Sequence, residues 1–293
     1  MVFIGIAAGA AFAWLVCQVA IRLGPRLGYV DRPDDPELKV HRMPAVPLGG
    51  LAILAGTVVG WWAIGDVPWE LVGLAATVVL LGLLDDRTGL SPLVRLVAEA
   101  GVGVATLSLP VVPLRLDAPL EAAAGVSLVL LAINAVNLVD GLDGLAGSTA
   151  SIAFLGVAAL SLNRGVDPGL PLVAAGALAG FLLLNRHPAR VFLGDNGAYL
   201  VGFLLAVTVM RGSPDGFGGQ LLIASLVLGV FVIDLAVTVM RRWLTGRPIL
   251  TGDRGHLYDR LRDHGWSVPA VVAAGAGAQI VFVAVAIGLE VMS

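Results

Sequence analysis

Four polar side chains at a spacing of three, Asn134, Asn137, Asp140 and Asp143, interrupt the stretch NAVNLVDGLDGLAG, which follows the apolar run VSLVLLAI. Residues three apart on an α-helix step by about 300°, so the four trace a ridge that drifts across one face and leave the rest apolar. Gly141 and Gly144 loosen the end of such a helix, where backbone N–H groups can approach a bound anion. The plainer reading is that Asp140 or Asp143 caps a helix beginning at Leu145. Capping accounts for one aspartate but not for the pair together with both asparagines.

Three further places carry chemistry. Asp85 and Asp86 close an apolar run in LLGLLDDRTGLSP, and adjacent carboxylates at the edge of a low-dielectric slab call for a cation. Arg87 could supply it structurally; a divalent metal or a phosphate-bearing substrate would explain both acids. In NRHPARVFLGDNGAYLVGF, Asp195 precedes a helix expected from Gly197. There it either caps or presents a hard oxygen ligand beside free N–H groups that could hold a metal and its phosphates. Phe192 stands three residues earlier and could present a ring for stacking. Within the apolar runs, Glu99 lies four residues after Arg95, the spacing of a helical ion pair. Asp234 in VFVIDLAVTVMRR has no partner within one turn, the mark of an acid facing a cavity or a functional site. His256 reads as a solvated loop histidine, and Trp243, Tyr258 and Trp266 as interfacial anchors.

The elements that must position these groups are membrane helices. Of 293 residues, 58% are hydrophobic and 13% charged, and the mean hydropathy is +0.92. That balance excludes an ordinary soluble domain and predicts an all-α, polytopic membrane protein. The single Cys17 forbids an intrachain disulfide, and a net charge of −3 gives no reason to expect a nucleic-acid partner. Lysine is rare among the basic residues, as in proteins of GC-rich bacterial genomes. Ten spans are predicted, at about 2–23, 49–64, 70–84, 94–112, 120–138, 145–162, 169–184, 197–210, 219–240 and 268–289. The first lacks a basic start and is longer than a signal core, so it reads as a retained anchor. With that span starting outside, 15 of the 18 basic residues fall in cytoplasmic segments and three, Arg115, Arg164 and Arg211, outside. The positive-inside rule then places both termini outside. The same assignment brings Asp85, Asp86, Asp140, Asp143, Asp195 and the His256 loop to the cytoplasmic face. No linker, low-complexity tract or repeat divides the chain, so 1–293 is expected to form one domain.

The segments VDRPDDPELKVHRMPAVPLGG, DDRTGLSP, NAVNLVDGLDGLAG, NRHPARVFLGDNG and DRGHLYDRL occur in the order and topology of the polyprenyl-phosphate N-acetylhexosamine-1-phosphate transferases. These form the superfamily that includes phospho-N-acetylmuramoyl-pentapeptide transferase. The similarity runs from about Tyr29 to Leu261. It implies an integral enzyme of a bacterial plasma membrane that moves a sugar-1-phosphate from a UDP-sugar to a polyprenyl phosphate and releases UMP. Mg²⁺ is the implied cofactor, with Mn²⁺ able to substitute, and a homodimer is a further expectation. By the resemblance, Asp195 is the metal ligand, and Asp85 and Asp86 engage the lipid phosphate, with Asp85 the candidate base. Asn185, Phe192 and Asp143 match positions that hold uridine, and Asn137 and Asp140 complete that cleft, Asp140 among the catalytic acids. Arg95, Asp234, His256, and Lys39 and His41 of the first cytoplasmic loop complete the substrate-binding set. Relatives using N-acetylhexosamines carry His-x-His-His in the last cytoplasmic loop, whereas this chain has His256, Tyr258 and Asp259. That departure, with the short chain, argues against the muramoyl-pentapeptide substrate.

Two other classes compete. A transporter or channel could use Asp234, Glu99 and the cytoplasmic acids as an ion path, but the chain lacks internal hydropathy symmetry and most of its acids sit at one face. A catalytically degenerate relative with a binding role is the second. A CDP-alcohol phosphotransferase is disfavoured because its Asp-Gly followed by Ala-Arg signature is missing.

Overall fold

The computed structural model describes residues 1–31, 44–65, 67–113, 118–212, 221–248 and 254–292. Lys39 and His41 lie outside the described residues. Among the described residues there is no β-strand, only two isolated bridges, Asp31 with Ala45 and Val46 with Val191. A 3-10 turn at Gly24–Leu27 and twelve α-helices account for the rest of the regular structure among the described residues: α1 Val2–Leu23, α2 Gly49–Ile64, α3 Trp69–Thr88, α4 Pro92–Thr106, α5 Pro119–Val139, α6 Leu145–Asn163, α7 Gly169–Asn185, α8 Gly194–Arg211, α9 Leu221–Val227, α10 Gly229–Leu244, α11 Leu257–Asp263 and α12 Val268–Met292.

Among the described residues, four segments are long and apolar enough to cross a membrane, Val2–Leu27, Pro119–Val139, Leu145–Asn163 and Val268–Met292, or five if the bent pair α9–α10 counts as one. Large apolar side chains such as Phe3, Trp62, Leu80, Val97, Leu162 and Val281 remain exposed on the bundle. In water such a surface would aggregate; against lipid it is the expected exterior. The central helix is α8, buried at every residue from Asn196 to Met210 and packed by α2, α3 and α5. Its burial fixes the site, because Asp195 at its N-terminal end is thereby anchored to the rigid centre of the molecule.

Small residues set the helix spacing. Gly9 of α1 meets the backbone of Gly56 on α2, and Gly176 and Gly180 of α7 meet the backbone of Ile6 and Ala10 on α1. Where the surrounding lipid is as apolar as the side chains, such close backbone approach is what drives association.

The predicted span at 219–240 is corrected by the structure: it is two helices meeting at 92°. The break frees backbone groups that bulk lipid cannot satisfy. Gln279 of α12, fully buried, satisfies both ends, its amide nitrogen donating to Val227 O at 2.6 Å and its oxygen accepting from Val230 N–H at 3.1 Å. Gly229 makes room for the Phe282 ring at the same bend. The fourth span ends at Thr106, and α3 runs on to Thr88, so that Asp85 and Asp86 lie within its last turn.

Candidate functional site

A cleft of about 360 Å³ opens where the ends of α3, α5, α7 and α8 meet. Asp86, Asn137, Asp140, Asp143, Asn185, Phe192 and Asp195 all line it. Seven side chains expected from the sequence are thus brought together from three distant segments.

Each is held by a different local device. Helix α5 ends at Val139 with Asp140 as its C-cap, so Asn137 stands in the last turn while Asp140 and Asp143 project from the loop. Asn137 Nδ2 donates to Asp195 Oδ1 at 2.6 Å. The ridge does drift: Asn134, one turn earlier, turns away from the cleft and donates to Glu99 Oε2 at 2.5 Å on α4. Neither aspartate caps α6, whose N-cap is Gly144 at φ 78°, a left-handed conformation that suits glycine. Asp143 Oδ2 is instead taken by His187 Nδ1 at 2.7 Å and by the Ala189 amide at 3.1 Å. Asn185, buried, bonds backbone at both ends, accepting from Gly144 N–H at 3.0 Å and donating to Val191 O at 2.8 Å. It ties the loop after α5 to the strand-like segment that carries Phe192. That segment is held on its other side by hydrogen bonds of 3.0 Å from Phe192 N–H to Val46 O and from Gly49 N–H to Phe192 O.

The adjacent acids Asp85 and Asp86 do not face the cleft as a pair. Asp86 Oδ1 accepts from the Asp195 amide at 2.9 Å, and Oδ2 accepts from the Asn196 amide at 3.2 Å and from Asn196 Nδ2 at 2.7 Å. A carboxylate from α3 therefore caps the N-terminus of α8, where the helix dipole favours negative charge. Asp85 lies one position back and points into the junction of α3, α4 and α8. It is buried, accepting from Tyr199 Oη at 2.5 Å, from the Leu90 amide at 2.7 Å and from Arg95 at 3.4 Å. Arg87, the partner weighed for these acids, turns to Tyr29 instead, 3.1 Å from its hydroxyl.

Two other expectations are corrected, an ion pair of Arg95 with Glu99 and an Asp234 that faces a cavity. Arg95 is drawn to Asp85 rather than to its i+4 neighbour Glu99, which bonds Asn134. Asp234 is buried but partnered, by His256 Nδ1 at 2.7 Å and the Leu257 amide at 2.9 Å. His256 is accordingly not a solvated loop residue; it is buried, and its ring stacks on Tyr258 with centroids 5.2 Å apart. Tyr258 is half-buried beside Gly141 and is not an interfacial anchor, whereas Trp243 and Trp266 are exposed as expected. Arg95, Asp234 and His256 do not line the cleft.

Asp140 and Asp195 line the cleft as well, Asp195 with its Oδ1 taken by Asn137. Burial raises the Asp140 carboxyl well above the usual carboxylate range, and the charges of Asp195, Asp86 and Asp143 raise it further, against the Gly194 amide. Like charges gathered without a cation create a demand for one. Among the described residues no cluster of three or more acid, histidine or cysteine side chains could by itself enclose a metal.

A family model described as "Glycosyl transferase family 4" matches residues 69–213. A relative from Bacillus subtilis named "Probable undecaprenyl-phosphate N-acetylglucosaminyl 1-phosphate transferase" is 31% identical over 272 residues, covering 86% of this chain and 75% of its own. This chain belongs to glycosyl transferase family 4. A phospho-N-acetylmuramoyl-pentapeptide-transferase from Synechococcus is 32% identical, covering 95% of this chain and 86% of its own. The decaprenyl-phosphate N-acetylglucosaminephosphotransferase of Mycobacterium tuberculosis is 29% identical over 85% of this chain and 73% of its own. The matched family region reaches from α3 to just beyond α8, so it contains every cleft acid named above.

Sequence reasoning missed several participants. Asp31 and His187 line the cleft, and Tyr199 and Asn196 organise Asp85 and Asp86. His187 and Tyr199 stood inside quoted motifs, but only the fold shows that one reaches Asp143 and the other Asp85.

Proposed function

We propose that this chain transfers an N-acetylhexosamine-1-phosphate from a UDP-sugar to a polyprenyl phosphate, giving a polyprenyl-diphosphate-sugar and UMP, as a first membrane step of cell-envelope glycan assembly. The observation that carries this reading is the convergence of Asn137, Asp140, Asp143, Phe192 and Asp195 on one cleft at the ends of apolar helices. There a water-soluble nucleotide can meet an acceptor whose tail stays in lipid. An oxygen of the acceptor phosphate attacks the sugar-bearing phosphorus of the donor, and the bond from that phosphorus to the bridging oxygen breaks as UMP leaves. The attacking phosphate is ionised near neutral pH, so positioning and charge neutralisation matter more than a strong base.

Asp195, steadied by Asn137, with Asp140 beside it, would hold Mg²⁺; the ion would neutralise the diphosphate and the charge that grows on the leaving group. Phe192 offers a ring for the uracil, and Asp143 and Asn185 shape that end of the cleft. Asp86 fixes the α8 terminus, and Asp85, through Arg95 and Tyr199, sets the direction in which the α3 end presents Asp86 and the exposed Arg87. Ten spans with both termini outside and the cleft facing the cytoplasm complete the reading, supported by the distribution of basic residues.

Purified protein in nanodiscs, given polyprenyl phosphate and a panel of UDP-N-acetyl sugars, should release UMP only with Mg²⁺ or Mn²⁺. Asp195→Asn should reduce release to background. Undiminished release by that variant, or release in excess EDTA, would overturn the metal assignment.

A further inference from the structure

Gly141 follows Asp140, the C-cap of α5, lines the cleft and is exposed on the cleft side. On its other side it is covered by Tyr258. A Cβ placed on Gly141 would collide with the Tyr258 hydroxyl and ring, so the phenol rests directly on the glycine backbone. The phenol is itself clamped. Its ring lies parallel to the His256 imidazole within 2°, and His256 Nδ1 is fixed by Asp234 Oδ2 at 2.7 Å with Thr238 Oγ1 at 3.2 Å. Asp259 Oδ2 accepts from the Gly255 and His256 amides at 3.0 and 3.3 Å, closing the first turn of α11 around them.

A continuous chain of contacts therefore runs from a carboxylate buried in α10, through an imidazole and a phenol, to the residue after Asp140. No hydrogen bond is made to the Tyr258 hydroxyl among the described residues, so its contact with Gly141 is steric. We propose that Tyr258 is a positioning residue for the metal-facing acid: clamped by Asp234 and His256, it wedges the Gly141 turn and holds the Asp140 carboxylate toward Asp195. The proposal rests on the functional reading above, in which Asp140 and Asp195 share the cation. It assigns Asp234 and His256 a role in the reaction without contact with substrate. It also explains why residue 141 is glycine at a φ that other residues could adopt: any Cβ would displace the wedge. A group that orients a ligand tunes affinity strongly, by roughly 10–100-fold when removed.

The test is Mn²⁺ binding to the full-length protein in nanodiscs, followed by electron paramagnetic resonance of the free ion, with UMP release measured in parallel. Wild type should bind Mn²⁺ and Asp195→Asn should not; absence of binding by wild type would refute the metal reading itself. Tyr258→Phe preserves the ring carbons that also meet Gly141 and should bind more tightly than Tyr258→Ala. Tyr258→Ala should weaken Mn²⁺ binding by about tenfold. Gly141→Ala, which pushes the same contact apart from the other side, should do likewise, so the result does not depend on one variant folding. In Gly141→Ala/Tyr258→Ala the loss should be smaller than the sum, since one contact is removed twice. Wild-type Mn²⁺ affinity in both single alanine variants, with normal melting and elution, would overturn the proposal.

Discussion

The Asp140 carboxyl keeps its proton above the ordinary carboxylate range because it is desolvated and faces Asp195, Asp86 and Asp143. An acid whose folded pKa is raised binds more protons folded than unfolded. It therefore stabilises the metal-free protein at low pH and loses that contribution as pH rises through the folded value. The window opens above the unfolded value of about 3.9. Metal-free protein in EDTA should accordingly melt higher at about pH 5 than at about pH 8, and Mg²⁺ should narrow or reverse the difference by replacing the proton. Melting curves at the two values with EDTA and with Mg²⁺ measure this, and a metal-free protein that gains stability with pH would contradict it. At this scale the sequence was legible as chemistry but not as pairing. That Asn137 and Asp140 share a ridge follows from residue types and helix spacing, and that Asp195 joins them was expected from the predicted topology and the resemblance. That Asp143 bonds His187, Glu99 bonds Asn134 and Asp234 bonds His256 does not, because each partner lies on an element distant in the chain.

Helix ends and breaks decide where these groups stand. Asp86 caps α8 from another helix with three hydrogen bonds, so Asp86→Ala should cost about 1–2 kcal/mol. It should also lower turnover, because Asp195 occupies the freed first turn. A denaturant or thermal melt in detergent, read beside UMP release, tests both, and unchanged melting would show that the cap contributes nothing. At the α9–α10 break, Gln279→Leu leaves the Val227 carbonyl and the Val230 amide unpaired in an apolar interior. The expected loss is roughly 1–3 kcal/mol for each orphaned group, seen as a lower melting temperature. An unchanged melt would mean that the break is satisfied some other way. Hydropathy predicted one span here because a broken apolar segment has the same composition as a straight one. The visible trace was a lone glutamine in the run GAGAQIVFV, on a different helix from the one it mends.

Across the whole molecule, the cleft opens at one end of the bundle, while Arg164 and Glu290 pair at 2.6 Å near the ends of α6 and α12. If the proposed orientation is right, on a Cys17→Ala background a cysteine at Arg186 should react with a membrane-impermeant maleimide only in opened cells. One at Asp167 should react in intact cells, and the reverse pattern would place the cleft outside. Composition and periodicity alone determined a helical membrane protein, the extent of most helices, and the residue types of the cleft. They could do so because apolar length and a spacing of three are local properties, set by the water-to-lipid transfer of short segments. Tertiary structure decided which acids line the cleft and which are held as caps or buried partners. Asp85 and Asp86 are neighbours in sequence, yet a helical step of about 100° sends one into the α8 junction and the other to its terminus. Only the packing of α3 on α8 says what each direction meets.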